Sequence, residues 1–241
     1  MNPRPKKTAV LVAQRIVADI NKRGNKVGDR LPTERSMLEE YKVGRGTLRE
    51  SLRFLEIQGV LTFKAGPGGG PVVQHPDGSS LASSLTLLLQ FDNAPFRAIA
   101  EARVGLEPVI ADLAAQRIDD VQLADLKSSL DTMQENLDYS GIFLEENRRF
   151  HNIIAHSSGN ALYSHLIDSL LGLLDGSAIG IDYPEVRRPA IHRAHALIYD
   201  AIASRDPMGA SEAMAAHIHE YMIYAERRFP HVLAAPIVWN N

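Results

Sequence analysis

In this 241-residue chain, the residues that could do chemistry are first of all histidines at helical spacing. Asn147 and His151 lie four apart, so a helix projects both side chains from one face. His195 and His217 lie 22 residues apart, with Arg205 and Asp206 about midway. A hairpin of two helices turning at 204–207 brings them together. Three neutral imidazoles and one amide oxygen suit a divalent transition metal such as zinc, nickel or manganese. The same four side chains could instead hydrogen-bond an organic ligand directly. His192, Arg148 and Arg149 are weaker candidates, and His219 falls on the other side of its helix from His217. No carboxylate stands beside these histidines as a general base in the manner of H-E-x-x-H, which argues against a metal-dependent hydrolase or lyase.

A second set is cationic. Arg45 and Arg49 lie four apart and share a helix face, while Leu48 and Leu52 hold the opposite face. An arginine can grip guanine O6 and N7 with two parallel bonds. Thr47 lies between the two arginines, and Arg35 lies in the first turn of the preceding helix. Lys64 and Gly66 sit in a Gly-rich hairpin tip that could touch the phosphate backbone or enter the minor groove.

These residues need elements to place them. Residues 8–22 show helical spacing through Val10, Ala13, Ile16, Val17 and Ile20. Thr33 suits the N-cap of a helix running to about Tyr41. A turn at Val43 and Gly44 leads to a third helix over about 45–58. Short strands over 60–63 and 71–73 flank the tip at 64–70. Three helices followed by a two-stranded wing make a winged helix-turn-helix, whose third helix enters the major groove. Residues 76–94, rich in Pro, Gly and Ser, are expected to be a linker. Helices are then expected over about 95–116, 119–138, 141–157, 160–175, 185–204 and 207–228, an antiparallel all-helical domain over 95–230. Residues 231–241 are expected to be a tail.

Charge follows the same division. Residues 1–75 hold 14 Lys/Arg and 7 Asp/Glu, a net +7, whereas residues 76–241 hold 12 and 22, a net −10. A basic block joined to an acidic one suggests that only the first meets a polyanion. The absence of cysteine excludes disulfides and thiolate metal sites. No apolar run reaches the roughly 18–20 residues a membrane helix needs, and the N-terminus lacks the apolar middle of a signal peptide. A cytoplasmic, nucleoid-associated protein is expected.

Two stretches carry a family resemblance. Gly28 to Arg35 (GDRLPTER) resembles the G-x-x-L-P-[ST]-E-R signature of GntR-type regulators, and Val43 to Leu52 (VGRGTLRESL) resembles their recognition segment. The resemblance implies that Arg35, Arg45 and Arg49 contact DNA, with Thr47 and the wing assisting. Gly44 stands where Ser is usual and Gly46 where Thr, Ala or Pro is common, so side-chain contacts are lost there. Glu101 to Glu107 (EARVGLE) is similar to the start of the FCD ligand-binding domain of the FadR subfamily. Asn147 to His151 (NRRFH) is similar to its D-x-x-F-H motif. That likeness implies a bundle of six or seven helices around a buried cavity, a metal held by one Asp and three His, and a small carboxylate effector met by the ion and by Arg103. Asn147 in place of Asp removes one negative charge from the site. The expected protein is a homodimeric repressor on a pseudo-palindromic operator. A regulator for which the ion itself is the signal is the alternative.

Overall fold

The computed structural model describes residues 8–66, 69–174 and 183–239. The chain forms two compact units that meet in sequence at Ser80 and Leu81.

The first unit is built on α1 (Thr8–Arg23), α2 (Glu34–Tyr41), α3 (Arg45–Ile57), β1 (Leu61–Lys64) and β2 (Gly70–Val73). Val12, Ala13, Ile16 and Ile20 form the buried stripe of α1 and pack with Met37, Leu48, Leu52, Leu55 and Leu61. Thr33 caps α2 by accepting from the Ser36 amide at 3.3 Å. Lys42, left-handed at φ +53°, ends α2 and turns the chain into α3. Gly44 precedes α3 in an extended conformation and offers no side-chain cap, as expected of a glycine there. Ser51 ties α3 to α1: its buried hydroxyl donates to the Ala9 carbonyl at 2.8 Å. The wing is antiparallel, with Leu61 opposite Val73 and Lys64 opposite Gly70. A third edge escapes the sequence pattern. The loop before α2 lies along β2, with Leu31 N–H donating to Pro71 O at 2.9 Å and Val73 N–H donating to Asp29 O at 2.9 Å.

The second unit comprises α4 (Ser79–Phe91), α5 (Arg97–Arg117), α6 (Asp120–Glu135), α7 (Ser140–Ser157), α8 (Ala161–Leu173), a 3-10 turn (Glu185–Arg187), α9 (Arg188–Ala203), α10 (Pro207–Arg228) and α11 (Pro230–Ala234). Its core gathers Ile99, Ile110, Phe143, Phe150, Ile154, Ile198, Met214 and Ile218 from four helices. α5 lies at the centre and packs against α7, α8, α9 and α10. Asp119 opens α6 with a capping box to Gln122. Gly159, left-handed at φ +67°, stops α7, and Asn160 caps α8. Asp206 caps α10, accepting from the Gly209 amide at 3.0 Å. No described helix is long and apolar enough to cross a membrane.

Two expectations are corrected. Most of the supposed linker, 76–94, is helix α4: its Pro and Gly precede the helix, and Leu81, Leu85 and Leu89 then follow at helical spacing. The supposed tail is a docked segment. Leu233 and Ile237 are fully buried, and Ile237 N–H donates to Ala94 O at 2.9 Å beside a Pro95–Pro236 bridge. Two buried apolar side chains outweigh its irregular composition. Position 175 of the expected 160–175 helix lies outside the described residues, as do positions 67 and 68 of the wing tip.

Candidate functional site

The cationic surface of the first unit follows from the amphipathicity of α3. Leu48, Leu52 and Leu55 are buried, which leaves Arg45 and Arg49 exposed and Thr47 half-buried. Arg49 is not loose: its Nε lies 3.2 Å from Glu34 Oε2 at the start of α2. Arg35 is almost fully exposed and pairs with Glu39 at 3.7 Å along its own helix, a contact of little energetic weight. Lys64 is exposed at the end of β1. The return from it requires glycine, because a Cβ at Gly69 would lie 2.2 Å from the Lys64 carbonyl oxygen. Gly66 adopts φ +94°, a left-handed conformation that favours glycine. All six residues thus belong to one winged unit, with the α3 pair and the wing lysine exposed.

The second unit brings three histidines from three helices together. His195 Nε2 of α9 lies 3.1 Å from His217 Nε2 of α10, which lies 3.3 Å from His151 Nε2 of α7. Candidate ligand atoms of all three fall within 4.8 Å of one another. The α9–α10 hairpin does what the 22-residue spacing requires. His195 is held flat against Phe150, with ring centroids 4.3 Å apart and planes within 5°. Asn147 sits half-buried one turn before His151.

The sequence reading missed one member. Glu107 of α5, four residues after Arg103, is buried, and its Oε2 lies 2.5 Å from His151 Nδ1. Glu107 is not a general base facing the site, since it meets His151 on the nitrogen away from the convergent Nε2 atoms; it is 44 residues from His151 in sequence, and only tertiary packing joins them. The signal available was the four-residue spacing of Arg103 and Glu107 itself. Glu107 also pairs with the Arg103 guanidinium, which lies 5.9 Å from the Tyr221 ring centre. Arg103 is thus fixed within a buried Arg–Glu–His relay.

Electrostatics follow from this burial. Desolvation would raise the Glu107 carboxyl, but Arg103 and His151 together hold it far below the usual carboxylate range. Desolvation, with the other two imidazoles, pushes His195 well below an ordinary histidine. Burial and His151 bring His217 down to about 3. Both rings are therefore neutral near pH 7 with lone pairs available. Four ligands at the zinc–nitrogen distance of about 2.0–2.1 Å in tetrahedral array stand about 3.4 Å apart, close to the spacing of these nitrogens. Glu107 on the far nitrogen of His151 is the hydrogen-bonded carboxylate that metal-ligating histidines usually have. His195 Nδ1, in contrast, has no hydrogen-bond partner among the described residues. The donor set fits a divalent transition ion. His192 lies outside this cluster, half-buried on α9, and Arg149 pairs with Glu146 at 3.2 Å.

Comparison with known proteins agrees with both units. Residues 8–70 match the model of bacterial regulatory proteins of the gntR family, and residues 98–220 match that of the FCD domain. The chain is 35% identical over 213 residues, 88% of each chain, to the uncharacterised HTH-type transcriptional regulator YcbG of Bacillus subtilis. It is 26% identical to the HTH-type transcriptional repressor NanR of Salmonella newport, over 89% of this chain and 84% of that one. Among solved structures it is similar to a GntR protein of Streptococcus agalactiae, with TM-score 0.72 and 28% identity, covering 90% of this chain and all of the other.

Proposed function

The chain belongs to the gntR family of bacterial regulatory proteins, with an FCD domain as its second unit, and from that premise we propose that it is a repressor controlled by a small carboxylate-bearing effector bound at the histidine triad. DNA binding by the winged unit and transcription regulation come with the family. The effector, the ion and the direction of regulation are our reading. One observation carries it: the buried convergence of three Nε2 atoms, with Glu107 bonded behind the first ring.

In this reading His151, His195 and His217 hold a divalent ion, with the Asn147 oxygen as a further ligand. When bound, such an ion acts as a Lewis acid that anchors a carboxylate oxygen. Glu107 fixes the His151 ring and directs its Nε2 lone pair to the site. Arg45 and Arg49 read base edges, Thr47 assists, and Arg35 and Lys64 hold phosphates, with Gly66 allowing close approach.

The protein acts in the cytoplasm on chromosomal DNA as a homodimer, so that two α3 helices meet half-sites one helical turn apart. Helix α4 supports dimer formation. It carries no charged residue, and of its side chains only Thr86 is buried, while Leu88 and Phe91 are exposed. Exposed large apolar side chains on an uncharged helix face mark an interaction surface. The effector switches DNA affinity only to the extent that it binds one dimer arrangement better than the other.

Metal analysis of the purified chain after dialysis against zinc tests the reading. One zinc per chain is expected, falling to near zero in His195→Ala/His217→Ala. Equal metal content in both proteins contradicts it. DNA release by zinc alone, with no organic acid required, would favour the ion itself as the signal.

A further inference from the structure

A groove of about 300 Å³ runs along the surface between α9 and α10, at the small end of ordinary ligand pockets. Its walls are mainly apolar: Ala190, Ile191, Ala194 and Leu197 from α9, Ala213 and Ala216 from α10. His217 of the triad contributes to its lining. So does Arg187, whose guanidinium carbon lies 4.0 Å from the Tyr224 ring centre. A stacked guanidinium keeps its planar fork in one orientation. The charge partner of Arg187 is Glu220 at 3.6 Å, whose side chain is 71% exposed, so this pair is weak and readily exchanged. Arg103 does not line the groove and is committed to Glu107.

We propose that this groove receives the effector and that Arg187 is its second anion-recognition residue, so that the effector is a small organic diacid. One acid group meets the histidine cluster at His217, an aliphatic spacer runs past Ala190 and Ile191, and the other acid group takes Arg187 from Glu220. The inference rests on the triad as the effector's first anchor. A carboxylate in place of Glu220 makes a charge-assisted, bidentate pair with a guanidinium already held in plane. Tyr183 and Tyr221 also line the groove, and burial pushes both phenols up, so their hydroxyls remain protonated and can donate to an acid oxygen. A monoacid of the same length satisfies only one of the two charged ends.

The test titrates the full-length, zinc-equilibrated protein calorimetrically with linear diacids of four to eight carbons and with the monoacids of equal length. At least one diacid is expected to bind ten-fold or more tightly than its monoacid. Arg187→Gln is expected to reduce that diacid to the affinity of the monoacid. Glu220→Gln, which removes the competing carboxylate, is expected to tighten the diacid several-fold, a gain that misfolding cannot produce. A diacid preference unchanged in Arg187→Gln overturns the inference, as does a Glu220→Gln protein that binds the diacid no better. A chain that takes up zinc but none of the acids also overturns it, while leaving the metal site standing. A chain that takes up neither overturns the triad reading as well.

Discussion

Glu107 Oε2 lies 2.5 Å from His151 Nδ1 and joins α5 to α7 inside the helical unit. The same carboxylate neutralises Arg103, so one buried group serves stability and the site together. Glu107→Gln leaves Arg103 buried without its counter-charge and is expected to cost about 3–5 kcal/mol in urea unfolding. Zinc affinity should fall roughly 10–100-fold in a chelator competition, since the support of His151 is weakened. Replacing both charges, Arg103→Met with Glu107→Met, should restore most of the stability but not the zinc affinity. Recovery of both would reduce Glu107 to a packing role.

The histidines set an acid limit for the zinc-free protein. An unfolded chain protonates His195 and His217 near 6.5, whereas burial keeps both neutral in the folded chain, His217 down to about 3. Below pH 6.5 the unfolded state therefore binds more protons, and stability falls as pH falls through that window. Above it these two rings contribute no slope. In chelator, the melting temperature should drop between pH 7 and pH 5, and His195→Asn/His217→Asn should flatten that drop. A wild-type melting temperature constant over this range would contradict the neutral, buried assignment.

Ser51 offers a test of the winged unit alone. Its hydroxyl hydrogen is shared between Ala9 O and Thr47 O, each at 2.8 Å, inside a core with no exposed surface at that side chain. Ser51→Ala removes the α1–α3 link at small volume change and should destabilise by about 1 kcal/mol. Chemical unfolding monitored on the winged unit checks it; an unchanged midpoint would mean the hydroxyl carries no net energy.

On DNA, the exposed pair on α3 should behave differently from the wing. Arg45→Ala and Arg49→Ala should each weaken a selected operator by about 1–3 kcal/mol and relax its sequence preference. Lys64→Ala should weaken all duplexes about equally and lower the salt dependence by about one phosphate contact. Equal losses on operator and random DNA for all three variants would remove the assignment of base reading to α3.

Legibility in the sequence followed local physics. The helical stripe of α1, the Thr33 cap, the glycine-rich wing and the Asp206 cap are encoded within a few residues, and each stands in the structure. The meeting of His195 and His217 was legible because one hairpin carries both. Glu107 was not, since its partner lies on a non-adjacent helix and no spacing rule links 107 to 151. α4 was hidden by a Pro-, Gly- and Ser-rich approach. The C-terminal segment was hidden because two buried side chains, Leu233 and Ile237, hold a stretch with no regular period. The edge formed by Asp29 to Leu31 against β2 is backbone pairing, which side-chain pattern does not report.

The most direct test of the account uses a labelled operator duplex selected from random sequence with the full-length protein. Its affinity is read by fluorescence anisotropy with the histidine site stripped by chelator and then loaded with zinc and a binding acid. The account predicts a ten-fold or larger change in affinity between the two states for the wild type, and none for His195→Ala/His217→Ala that still binds the duplex. Identical affinities in both states for the wild type would contradict it.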